Sequence, residues 1–141
     1  KWDLVEKETN TMRDYEVKIR QQIAPLTDVP IIFTSVLTKQ RLLKSIETAV
    51  EVFDNRKRRI STSKLNETML EIVKQNPPPA IKGKYVKIKY CMQLPTKTPQ
   101  FAFFSNLPQY VKEPYKRYIE NQLRDYYNFS GVPITIYFRQ K

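Results

Sequence analysis

Lys84-Tyr85-Val86-Lys87-Ile88-Lys89-Tyr90-Cys91-Met92 alternates with a period of two: Val86, Ile88, Tyr90 and Met92 on one side, Tyr85, Lys87 and Lys89 on the other. That period marks a half-buried strand that shows its lysines to solvent. Downstream, residues 94–100 read as a mobile loop, and Phe101–Ser105 as a second, aromatic-rich strand. Upstream, Ser61-Thr62-Ser63 offers caps for a helix with Leu65, Met69, Ile72 and Val73 on one face. Asn76-Pro77-Pro78-Pro79 stops that helix, because proline supplies no amide donor and clashes within a helix. Further on, Pro114 suits the first turn of a helix striped with Tyr115, Tyr118, Ile119, Gln122, Leu123 and Tyr126. Asn128–Gly131 then turns the chain into a last alternating strand through Val132, Ile134, Ile136 and Phe138. The order α-β-β-α-β predicts a compact α+β sandwich with its helices on one sheet face.

The preceding stretch has a different pattern. Met12, Tyr15, Ile19, Ile23 and Leu26 stripe a helix, with Thr11 and Asp14 resembling a capping box and Pro25 marking the end. Val29–Phe33 is apolar throughout, as in a buried parallel strand. Leu42, Leu43, Ile46, Ala49, Val50 and Phe53 stripe another helix, with Thr38 as its expected N-cap. Helix–strand–helix is the order found in a parallel α/β sheet, yet three elements cannot cover a parallel strand on both faces. Asn55-Arg56-Lys57-Arg58-Arg59 is the boundary candidate, giving domains 1–56 and 57–141.

Composition narrows the chemistry. The 141 residues include no His, one Cys and two Gly. Without His there is no imidazole general base and no His-ligated metal. Ser61 and Ser63 therefore read as helix caps rather than nucleophiles. Cys91 alone builds neither a disulfide framework nor a four-thiolate zinc site, and suggests a reducing compartment. Gly83 and Gly131 lie too far apart for a Walker A loop or a GxGxxG turn. No apolar run reaches the ~20 residues that span a bilayer.

The net charge of +11 is unevenly placed. Residues 1–56 hold 9 basic and 9 acidic side chains, whereas residues 57–141 hold 16 basic and 5 acidic. A half so basic, with Tyr and Phe interleaved, points to a polyanion, and to nucleic acid before an acidic membrane surface. A membrane binder would need a basic amphipathic helix with bulky apolar anchors, which is not present. Tyr115, Tyr118 and Tyr126 fall on an apolar stripe and read as core; Tyr85 and Tyr137 are the better platforms for base stacking.

Lys1-Trp2-Asp3 matches the last three positions of the Asn-Lys-x-Asp guanine-specificity motif of GTPases. In that motif the Asp accepts hydrogen bonds from guanine while the Lys stem packs over the base. A helix, an apolar strand and Ser35-Val36-Leu37 follow, at the place of the turn whose backbone amide reaches the guanine O6. The opening thus reads like a chain entered midway. The α-β-β-α-β half resembles a KH-like fold without its GxxG clamp, since Gly83 is followed by Lys84-Tyr85-Val86. Longer segments complete the pattern: Ser35-Val36-Leu37-Thr38-Lys39-Gln40, Arg59-Ile60-Ser61-Thr62-Ser63-Lys64-Leu65-Asn66, Asn106-Leu107-Pro108 and Tyr115-Lys116-Arg117-Tyr118-Ile119-Glu120-Asn121. Together with Gly131-Val132-Pro133-Ile134, they resemble the C-terminal third of the bacterial tandem-domain GTPases of the Der (EngA) family.

This resemblance implies a KH-like α-β-β-α-β domain at 57–141, preceded by a helix-strand-helix remnant of a P-loop GTPase α/β domain at 1–56. It implies guanine contacts for Lys1, Asp3, Ser35 and Val36, where Val36 replaces a usual Ala but acts through its backbone amide. It further implies GTP and Mg2+ as ligands of an intact parent, a cytoplasmic location, and a role in assembling the large ribosomal subunit. The P-loop, the Mg-binding Thr and the switch regions would lie outside this sequence, so these residues alone should neither hold nor hydrolyse GTP. The expected partners are the large subunit with its RNA, and GTPase domains of the same chain. RNA-facing candidates are Lys57, Arg58, Arg59, Lys84, Lys87, Lys89, Lys97, Lys116, Arg117 and Arg124. A competing expectation makes the KH-like sheet a docking surface that reports nucleotide state, with RNA secondary.

Overall fold

The computed structural model describes residues 1–24, 26, 28–81 and 83–140. After a 3₁₀ turn at Trp2–Leu4 come helices α1 (Thr11–Gln22), α2 (Leu42–Lys57) and α3 (Thr62–Gln75). Strands β1 (Ile88–Gln93) and β2 (Gln100–Ser105), a second 3₁₀ turn (Pro108–Tyr110), helix α4 (Glu113–Tyr126) and strand β3 (Thr135–Gln140) complete the order.

The α-β-β-α-β half follows its local chemistry. The Ser61 side chain caps α3 by accepting from the Lys64 amide at 3.4 Å, and Leu65, Met69, Ile72 and Val73 are buried along one face. The helix ends at Gln75, before the proline triplet. β1 pairs with β2 antiparallel, and β2 pairs with β3 parallel through the α4 crossover, so β2 is central. Phe101 and Phe103 point from β2 into the core, edge-on to Phe129 at 5.7 Å and stacked on Phe138 at 5.5 Å. Tyr115, Ile119 and Leu123 of α4 close the core from above.

Strand alternation fails at one point. Ile88 pairs with Ser105 but Tyr90 with Phe104, so a bulge at Lys89 shifts the phase of β1. Val86 therefore stays buried, but beyond the bulge Cys91 turns inward instead of its neighbours. Its amide donates to Asn66 Oδ1 at 2.9 Å, and Asn66 Nδ2 returns a bond to the Cys91 carbonyl at 2.7 Å. Burial pushes the Cys91 thiol up to about 12. On α4 the expected core residue Tyr126 is exposed, and Tyr127 takes its place, with its hydroxyl 3.0 Å from Thr68 Oγ1. The 94–100 connection is tied down: Arg59 donates to the Leu94 carbonyl at 2.8 Å and to that of Thr96, and the Leu94 amide to Gln100 O at 2.8 Å.

Residues 1–57 depart further from expectation. Val29–Phe33 is not a strand, because no other strand lies beside it among the described residues. Thr11 does not cap α1: Asn10 takes the N-cap position, and the Thr11 hydroxyl accepts from the Glu8 amide at 2.7 Å. α1 ends at Gln22, and Pro25, its expected stop, lies outside the described residues. Thr38 does not cap α2, whose N-cap is Arg41 with a left-handed φ of 55°. The apolar stripe Leu43, Ile46, Val50 and Phe53 faces solvent.

Contact with the α+β half is instead made by the other side of α2. Asn55 is buried there, its amide donating to the Ser130 carbonyl at 3.2 Å and to Asn128 Oδ1 at 3.4 Å. Gly131, at φ +74°, fits against Val52: a Cβ in its place would lie 2.7 Å from Val52 Cγ2 and 3.1 Å from Pro30 Cδ. Only glycine meets both the left-handed backbone and that approach.

Candidate functional site

Two regions bring together residues singled out in the sequence. The first is at the start of the chain. Trp2 is buried, tilted against Phe33 at 4.5 Å and edge-on to Tyr15 at 5.7 Å. Its amide donates to the Thr34 carbonyl at 2.9 Å, which fastens the opening turn to the 29–35 segment. Ser35 is buried; its amide donates to Gln40 O at 3.2 Å, and its Oγ accepts from the Thr38 amide at 3.2 Å. The Ser35 side chain holds the Asp3 carboxyl below its ordinary range, helped by the Asp3 backbone. Lys1, Asp3, Leu4, Thr34, Val36 and Leu37 line one cleft of about 360 Å³. Residues more than thirty positions apart thus converge on a carboxylate acceptor, a lysine stem and an apolar rim.

The second region is the cationic surface around α3. Lys87 and Lys89 line a hollow of about 340 Å³ between α3 and β1, floored by Val73, Val86 and Ile88. Lys74, which the sequence reading missed, lines it too; its place in the last turn of α3 was the available signal. At the other end of α3, Arg58, Arg59 and Lys64 line a second hollow of about 300 Å³ with Ile60, Ser61 and Tyr127. Lys84, Lys97 and Arg117 are exposed and form no ion pair among the described residues, although Lys84 Nζ lies 3.2 Å from the Tyr110 hydroxyl. Lys57 sits 5.0 Å over the Phe53 ring, and Lys116 pairs with Glu113.

Arg124 is engaged within the chain. Its side chain is only 16% exposed and bonds Asp28 and Glu120, together with the Phe129 and Val132 carbonyls at 3.2 and 3.1 Å. The guanidinium therefore joins α4 to the N-terminal half. Arg59, clamped on two carbonyls, keeps little donor capacity for RNA.

Residues 59–139 match the family described as the KH-domain-like region of EngA bacterial GTPase enzymes, C-terminal. The chain belongs to this family. Its full length aligns with proteins named GTPase Der, at 70% identity in Flavobacterium johnsoniae, 66% in Christiangramia forsetii and 57% in Porphyromonas gingivalis. It spans about a third of those relatives, 32% in each case. The three-stranded sheet with helices α3 and α4 is the KH-like part of the EngA pattern, and the match begins just beyond the end of α2. Among the described residues no helix is long and apolar enough to cross a membrane.

Proposed function

We propose that residues 1–56 are the guanine-contacting end of a GTP-binding domain and that residues 57–141 are a KH-like module contacting ribosomal RNA during large-subunit assembly. The observation that carries this reading is the concentration of cations around α3, with Lys74, Lys87 and Lys89 along one hollow and Arg58 and Lys64 along another. Without a GxxG clamp, those cations hold backbone phosphates and read shape rather than base sequence. The name GTPase Der, carried by relatives up to 70% identical, supports a GTP-hydrolysing parent. The cleft around Asp3 suits the base of GTP: a carboxylate held in its charged form accepts from the guanine ring N–H and the neighbouring exocyclic amino group, while Lys1 packs over the ring. These residues contain no glycine loop to cradle the triphosphate and Mg2+.

A filter-binding titration of ribosomal RNA against salt tests the electrostatic reading. Log K should fall linearly with log salt, by about 0.7–0.9 per phosphate neutralised, and Lys87→Ala or Lys89→Ala should each reduce the slope by up to about that amount. A flat plot rules out the mechanism. A second reading, in which the sheet docks on a GTPase domain of a longer parent and reports nucleotide state, is supported by the uncovered outer face carrying Tyr90 and Tyr137.

A further inference from the structure

The sheet has a face that its helices do not cover. On β1, β2 and β3 the residues opposite the core form two rows across the strands. Tyr90, Phe104 and Arg139 make one; Met92, Ala102 and Tyr137 make the other. Tyr90 remains 37% exposed and Tyr137 38% exposed. The Tyr90 and Phe104 rings lie 5.7 Å apart at 45°, and the Arg139 guanidinium sits 5.5 Å from the centre of the Tyr137 ring. Two strands and two residues separate the exposed tyrosines, roughly 12 Å.

The charge of this face distinguishes it from an ordinary apolar docking surface. The three strands, IKYCMQ, QFAFFS and TIYFRQ, contain no Asp or Glu, and Arg139 is the cation in the outer rows, while Lys89 lies at the bulge toward the α3 hollow. Exposed rings beside a cation, with no carboxylate in the strands to repel phosphate, form the arrangement that holds single-stranded nucleic acid. The rings take the bases and the cation takes the backbone. An apolar protein partner would gain from the same rings but would leave Arg139 without a counter-charge.

We infer that the outer sheet face is a stacking platform for unpaired bases of an RNA strand, with Tyr137 and Tyr90 as the two ring contacts. This rests on the RNA reading above and adds a second surface to it. The hollows around α3 hold phosphates whatever the base, while the platform requires bases free of a helix.

The test compares three ligands with the 141-residue chain by fluorescence anisotropy at fixed salt: a single-stranded 12-mer RNA, an abasic 12-mer with the same phosphates, and a 12-base-pair RNA duplex. The single strand should bind more tightly than its abasic counterpart. Tyr137→Ala and Tyr90→Ala should each lower single-strand affinity about 5- to 100-fold and leave the abasic and duplex affinities unchanged. Tyr137→Phe keeps the ring and should bind like the wild type, which separates lost stacking from lost folding. Lys87→Ala with Lys89→Ala should weaken all three ligands and flatten their salt dependence. Equal binding of the intact and abasic strands overturns the platform, as does a Tyr137→Ala variant that binds RNA normally but no longer associates with a GTPase domain. Failure of the underlying reading is distinct: none of the three ligands would then bind in a salt-dependent way.

Discussion

Replacing Arg124 by Met should loosen the junction between the two halves of the chain and lower its thermal midpoint by about 6–15 °C. Methionine keeps most of the apolar stem and removes the donors. Wild-type Arg124 contributes Nη1 to Asp28, Phe129 O and Val132 O, and bonds Glu120 Oε1 through Nε at 3.3 Å and Nη2 at 2.8 Å. Its loss leaves the Val132 carbonyl and two carboxylates without this donor, while Phe129 O keeps the Val132 amide at 3.0 Å. Breaking a fully buried ion pair costs about 3–5 kcal/mol. Here Asp28 and Glu120 are 29% and 34% exposed, so water replaces part of the loss and about 2–3 kcal/mol is expected. For a chain of this size each kcal/mol moves the midpoint by about 3–5 °C. Far-UV circular dichroism on heating provides the measurement, with urea titration as a check. Combining Asp28→Asn with Arg124→Met isolates the pair, and the two losses should fall short of additive by at least about 1 kcal/mol. A midpoint within 2 °C of wild type, or strict additivity, would refute the junction role.

Other consequences are smaller but as definite. Gly131→Ala should cost about 1–3 kcal/mol, because its Cβ would meet Val52 at 2.7 Å on a left-handed backbone. Gly83→Ala, at φ +72° but with nothing within 4 Å, should cost only about 1 kcal/mol, and urea midpoints of the two variants will show the difference. Ser105 Oγ is buried with no partner among the described residues, so Ser105→Ala should be neutral or stabilising by up to about 1 kcal/mol. Cys91 should resist thiol reagents in the folded chain and react on unfolding. Its raised value also fixes the sign of a pH effect: above the ordinary value of 9.0 the unfolded chain loses a proton that the folded one keeps until about 12. Stability from this group is thus full below pH 9 and declines through that window, and Cys91→Ala should flatten the decline in urea titrations run at pH 8 and 10.

The α+β half was legible because each of its elements buries its own stripe: Leu65, Met69, Ile72 and Val73 announce α3 without help from elsewhere. Where a neighbour decides, local pattern fails. The bulge at Lys89 is created by pairing with β2, so alternation across 84–92 assigned the wrong member of Tyr90-Cys91-Met92 to the core. Tyr126 and Tyr127 are equally aromatic, and only the position of α3 selects the second. Val29–Phe33 has strand composition, but composition cannot supply a paired strand. Arg124 showed its local partner Glu120 four residues earlier, but carried no sign of Asp28, 96 residues away. The cleft joining Asp3 to Val36 was legible in its residues through the spacing of the guanine motif, while the hollow at Lys74 depended on how α3 lies against β1.

The central position of β2 has a kinetic consequence. Its sequence, QFAFFS, sets four apolar residues between Gln100 and Ser105 and is uncharged and free of proline and glycine, the profile of a segment that self-associates when its edge is bare. β1 can cover one edge early, through a short antiparallel connection, but the other edge is completed only by β3, after α4 has formed. Thirty-five residues separate the end of β2 from the end of β3. At about 5–20 residues per second of synthesis, Phe101 and Phe103 wait on the order of 2–7 s with an unpaired flank. A nascent-chain holdase that recognises bare aromatic strands would find its window there.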